Sequence, residues 1–340
     1  CLPVDFNLDR MVDYSVWPYY GMAGIGSSAR WRAGNDGIRE SEGTIIINGG
    51  NIRAKGQDNA SAIGGTRAEE IEFRSTDRGE VYNRRQGGSI TINGGVVRTE
   101  AFAMSEGNCT TVDSVGIGTC QMGYGGSVTI NGGVIHAVGK GSAAGIGSTG
   151  DIRITGGEIS VFAEGGGAAI GSIGGVDCKS ITINGDVIQS ISSKDGACIG
   201  AATGGSVGSI TISDAELPLL SSNKILIGWD ADSPGGKLTI RNCRVESTDI
   251  PTTHTDGIRV GSNSELVIEN SEIRLPHLRG IRVGGNGSIA VRDSDLHTYG
   301  IFMDETVHTI TDAKTLKKLE ITGSTVLTGD IIGARGDYSS

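Results

Sequence analysis

At one recurring point in this chain only glycine, asparagine or aspartate is found. It reads Gly49, Gly94, Gly132, Gly156, Gly185, Asp214, Asn242, Asn270, Asp293 and Gly323. These residue types tolerate a positive φ. A left-handed corner in every repeat is therefore expected, and with it one continuous stack of turns rather than two unrelated domains.

The segments around this corner repeat as Ile-Thr-Ile-Asn. Starts fall at Ile45, Ile90, Val128, Ile152, Ile181, Ile210, Leu238, Leu266, Ile289 and Leu319, about 23 to 30 residues apart, except for early spacings of 45 and 38. Apolar residues at each start and two positions on enclose an outward residue such as Thr91, Thr129 or Thr182, the alternation of a half-buried strand. A third apolar column follows five residues later, from Ile52 and Val97 to Leu296 and Val326. A second strand closes most repeats with Ile-Gly, as at Ile63-Gly64 and Ile146-Gly147, drifting to Val260-Gly261 and Val283-Gly284. Aligned Asn48, Asn93, Asn131 and Asn184, interrupted by Thr155, suit amide stacking along an axis. The fold expected is all-β: a single right-handed parallel β-helix solenoid of about ten coils.

Composition agrees. Glycine is 57 of 340 residues without a Gly-X-Y period, which excludes collagen. The 37% hydrophobic and 4% aromatic content suits a thin core fed from every wall. A net charge of −10 argues against nucleic-acid and anionic-membrane partners. No apolar run is long enough to span a bilayer.

The Gly-rich coils with their Ile-Gly and Ile-Thr-Ile-Asn-Gly-Gly segments resemble the right-handed parallel β-helix superfamily, the pectin-lyase-like fold. They look most like the coils of large surface proteins, some of them carbohydrate-binding. The resemblance covers about residues 20 to 335. It implies the fold and leaves the function open, since polysaccharide-processing enzymes, tailspikes, adhesins and ice-binding proteins share it.

Residues 1–20 break the repeat and read as an N-terminal cap, with residues 21–340 forming the solenoid. Trp17, Tyr19 and Tyr20, with Trp31, Tyr82 and Tyr124, make an aromatic platform for sugar stacking the sharper alternative. Insertions are expected at about 65–88, dense in mixed charge, and at about 100–126. The latter holds Cys109 and Cys120, which can close a loop as a disulfide. Cys178 and Cys198 lie one coil apart and can pair; free thiols in small core slots suit these cysteines equally. Asn59, Asn108 and Asn286 each open an Asn-x-Ser/Thr acceptor triplet, which agrees with secretion.

The position before each Ile-Gly is small early on (Gly24, Ala62, Gly116, Gly145, Ala169, Cys198), a flat outward strip that lets another surface approach closely, either the chain's own loops or a second subunit. It becomes Leu226, Arg259, Arg282 and Phe302 later. Arg153, Val267 and Ala290 break the outward Thr column, which argues against an ice-binding face. After residue 240 the outward columns are charged and complementary: Arg241–Glu269–Arg292, Arg244–Glu272–Asp295 and Glu246–Arg274–His297. Arg259 over Arg282 is a like-charge pair that needs an anion or a carboxylate between its members.

Two functions compete. One is a secreted or cell-surface scaffold or adhesin binding glycans or partner proteins. The other is a polysaccharide lyase or glycoside hydrolase on the Arg/His face of the C-terminal coils. A lyase needs cations to neutralise a uronate and a base for the α-proton; Arg259, Arg282 and Arg279 with His254 or His277 are the candidates. Paired carboxyls for hydrolysis come from Asp249, Asp256, Glu272, Asp295 and Asp304. No cofactor is expected, although Asp230 and Asp232 can contribute to a Ca²⁺ site that lacks its other ligands. The scaffold reading fits the acidic composition better.

Overall fold

The computed structural model describes residues 23–26, 43–57, 60–65, 88–102, 113–119, 126–229, 233, 236–247, 255–276, 278–304 and 318–332. Among these no helix occurs. Every strand pairing is parallel, and the strands stack into three faces that wind as a β-helix.

The first face is a ten-stranded sheet running from Ile45–Ile47 to Lys318–Thr322 in chain order. The second begins as a six-stranded sheet, from Asn51–Gln57 to Leu220–Ser222. The third carries the Ile-Gly tags, from Ile25–Gly26 through Ile281–Gly284. The long strand Asp295–Asp304 belongs to the second face at its start and the third at its end, and so joins the two. Pro218 stands between Glu216–Leu217 and Leu220–Ser222. It has no N–H to give the ladder, so the second face is interrupted there.

The core is the set of columns expected. Val128, Ile152, Ile181 and Ile210 stack in register, as do Ile130, Ile154, Ile183 and Ile212, all without exposed surface. Burying each contributes about 2–3 kcal/mol. β-branched side chains suit the pleat, and their neighbours one coil away keep the register by burying the same face.

The asparagine ladder forms. The Asn93 amide donates to the Asn48 side-chain oxygen and that of Asn131 to Asn93, each at 2.8 Å, and the Thr155 hydroxyl continues the chain at 3.4 Å. A second ladder runs from Asn270 to Asn242 to Asp214, again at 2.8 Å. The charged columns pair as well: Glu269 lies 2.9 Å from Arg241 and 2.7 Å from Arg292. Arg244 reaches Glu272 at 3.6 Å. In the third column of charges the pairing runs along the strand instead, with Arg244 on Glu246, Arg274 on Glu272 and His297 on Asp295.

Four expectations need correction. The corner takes positive φ at Gly185, Asp214, Asn242, Asn270, Asp293 and Gly323, but in the first four coils it shifts one residue to Gly50, Gly95, Gly133 and Gly157. The Gly-Gly pair offers both positions, and the second glycine is the one that takes the left-handed conformation. The last rung of the third column is Leu327, which pairs with Leu296, while Val326 pairs with Asp295 and is 55% exposed. The Ile-Gly register slips by one in the later coils: Gly228 pairs with Arg259, so Arg259 continues the glycine column rather than the one containing Leu226. Finally, Ala62, Ala169 and Cys198 have no exposed surface and belong to the core, so at these coils the small-residue column points inward rather than outward.

The cap at 1–20 lies outside the described residues, as do residues 66–87 of the first insertion. Within 100–126, the strand Val96–Phe102 and the rung Ile117–Gly118 belong to the regular coils.

Candidate functional site

The strand Asp256–Val260 and its neighbour Ile281–Gly284 place Arg259 directly beneath Arg282, and the next rung places Phe302 beside Arg282. The like-charge pair has its carboxylate. Asp256 lies 3.4 Å from the Arg259 guanidinium and 3.7 Å from that of Arg282. Its side chain is only 4% exposed, against 18% and 23% for the arginines. A carboxylate this enclosed is stable as an anion only because both cations compensate its lost hydration. In turn it takes up charge that a bound uronate would otherwise meet.

Beside this cluster the long strand bulges. His297 pairs with Thr328 and Gly300 with Asp330, three steps on one strand against two on the other. The extra residue re-aims the side chains at the irregularity. Tyr299 stands there 62% exposed, its ring stacked on Phe302 at 6.0 Å between centroids and 20° between planes. The outcome is an aromatic ledge at the edge of the Arg282–Asp256–Arg259 cluster. Sequence reasoning named Phe302 and missed Tyr299, because a bulge has no signature in residue spacing.

The other candidate carboxyls are engaged in holding the coils. Glu272 pairs with Arg244 and Arg274, and Asp295 with His297. They belong to an open acidic groove along the corner between the first and second faces. There Asp186 accepts the Glu216 backbone N–H at 2.7 Å, and Asp293 accepts that of Ser324 at 3.0 Å. Asp249, His254 and His277 lie outside the described residues, as does the side chain of Asp304. So do Trp17, Tyr19, Tyr20, Trp31, Tyr82 and Tyr124, the Cys109/Cys120 pair, and Asp230 and Asp232. Among the described residues no group of three His, Cys, Asp or Glu side chains is placed to hold a metal ion.

Cys178, Cys198 and Cys243 are buried free thiols. The Cys178–Cys198 pairing fails because Cys178 sits on a first-face strand and Cys198 on a third-face strand. Each donates to a backbone carbonyl: Cys198 to Ser221 at 3.0 Å, Cys178 to Gly150 at 3.4 Å. Burial pushes the Cys178 thiol up to about 12, so it is inert as a nucleophile. Cys243 opens a ladder continued by Ser271 and Ser294, whose hydroxyls accept the backbone N–H of the preceding rung at 3.1 Å.

No family model matches this chain, and no curated protein or solved structure matches it.

Proposed function

We propose that this chain is an extracellular or cell-surface β-helix scaffold that binds glycans, with the Tyr299–Phe302 ledge as a contact. The observation that carries this reading is the exposed Tyr299 ring, stacked on the half-buried Phe302 at a bulge beside partly exposed arginine donors. A flat ring presents an apolar face to the C–H side of a sugar, and neighbouring guanidinium groups donate to its hydroxyls. Rigid aromatic anchors flanked by polar donors are the usual composition of a binding surface.

A lyase or glycosidase at the same coils fits less well. Its cations, Arg259 and Arg282, already share the buried Asp256, and Glu272 and Asp295 are tied into ion pairs. A glycan array screened with the intact chain tests the reading, run beside an assay for polysaccharide cleavage. Retention of a defined glycan without fragments is expected. Release of unsaturated or reducing-end oligosaccharides overturns the scaffold reading in favour of the enzyme.

A further inference from the structure

We propose a second binding strip, on the outer side of the second face, that takes a linear polysaccharide bearing sulfate or carboxylate groups. It rests on the glycan-binding reading above but uses none of the residues of the Tyr299 ledge.

The strip begins with an unusual column. Arg53 stands beside Arg98, and Arg98 beside His136, on three consecutive coils, all exposed. Elsewhere the stacked cations of the described outward columns have an acid to hand. Lys179 has Asp151, Lys237 has Glu265, Arg241 and Arg292 share Glu269, and Arg259 and Arg282 share Asp256. Here two carboxylates flank the column: Glu100, one column over and held by Arg53 and by Lys55 at 2.9 Å, and the exposed Glu158, diagonal to His136. Among the described residues the side chains of Arg98 and His136 make no hydrogen bond or ion pair.

Two basic groups one rung apart, about 4.8 Å, raise the energy of the bare fold whenever both are charged. A chain of net charge −10 that nonetheless lines up basic side chains has made a local anion site against its own overall field. The guanidinium of Arg98 matches the paired oxygens of a sulfate or carboxylate, and His136 adds a donor one rung on.

Two further features identify the occupant as a sugar polymer. The column runs along the solenoid axis at the rung spacing, so it meets an extended chain rather than a single small anion. Phe162 lies on the next coil, 39% exposed, two residues along the strand from Ser160, which is the partner of His136. That diagonal is about 7–8 Å, within reach of an aromatic side chain. An apolar ring beside cations suits a ligand that alternates C–H faces with anionic groups. Glu158, on the same coil as Phe162, closes the strip on its other side.

The test measures binding of the full chain to heparin, polygalacturonate, neutral dextran and poly-glutamate. The proteins are the wild type, Arg98→Ala, the Arg98→Ala/His136→Ala double variant and Tyr299→Ala. Removing like charges from exposed positions leaves the fold intact, which a melting curve checks. Expected are binding to heparin, polygalacturonate or both that weakens with salt, and a loss of about tenfold or more in the double variant. The ratio of heparin to polygalacturonate affinity assigns sulfate or carboxylate. Unchanged affinity in the double variant, equal binding of dextran, or tighter binding of poly-glutamate overturns the strip. Binding of a neutral glycan that depends on Tyr299, with no polyanion bound, overturns the strip and leaves the ledge standing.

Discussion

The carboxylate of Asp256 stands 3.4 Å from the guanidinium of Arg259, on a side chain that is only 4% exposed. The same carboxylate serves Arg282 from the next rung. What the sequence displays as a repulsive arginine pair is therefore a three-residue ion cluster binding two coils together. Asp256→Asn leaves two enclosed cations without their anion and is expected to destabilise the chain by about 2–3 kcal/mol. Denaturant midpoints read this directly. The Arg259→Met/Asp256→Leu/Arg282→Met triple variant should recover much of the loss; no recovery would show that the charges are not coupled.

Glu269 carries the pH dependence of the C-terminal coils. The hydrogen bond from Arg292, with that from Arg241, holds its carboxyl below the usual value of 4.5. A carboxyl lowered in the folded state stabilises above 4.5, and the benefit fades as pH falls through the folded value. The group is close to solvent, so the contribution is modest, about 0.3–1 kcal/mol. Glu269→Gln should lower stability at neutral pH by that amount and flatten the acid limb of the stability curve. An identical acid limb in the variant would remove Glu269 from the account.

Glycines in this chain divide sharply by cost. Gly118 has φ +136°, and a Cβ there would lie 1.6 Å from the carbonyl oxygen of Gly147 on the next coil. Gly49 lacks a positive φ and has open space around it. Gly118→Ala should cost roughly 3 kcal/mol or more, and Gly49→Ala less than about 1 kcal/mol. Urea unfolding of the two variants checks the contrast, and similar costs would contradict the stacking of Gly118 against Gly147.

Much of this fold is legible in the sequence, for a physical reason. A solenoid repeats one packing environment, so each buried position demands the same residue class ten times over, and columns such as Ile130–Ile154–Ile183 stand out. What failed was whatever one coil's spacing cannot specify. Either glycine of Asn48-Gly49-Gly50 can supply the positive φ, and the spacing of one coil does not say that the second does. The Val260-Gly261 dipeptide imitates the earlier Ile-Gly tag, yet the ladder places Ile258 on Ile227 and shifts Arg259 onto the glycine column. At the candidate site, Arg259 and Arg282 were visible and their need for an anion followed from charge alone. Asp256 as that anion was not, because residues three apart on a strand project to opposite faces, so spacing alone does not pair Asp256 with Arg259. Tyr299 needed the bulge.

The central claim is that the Tyr299–Phe302 ledge holds a sugar. Its most direct test is the affinity of the chain for the glycan it retains on an array, measured by calorimetry for wild type, Tyr299→Ala and Phe302→Ala. The account predicts a loss of about 1–3 kcal/mol, roughly tenfold or more in affinity, for Tyr299→Ala, with the melting midpoint of the protein unchanged. Full affinity in Tyr299→Ala, or no glycan retained by the wild type, would contradict it.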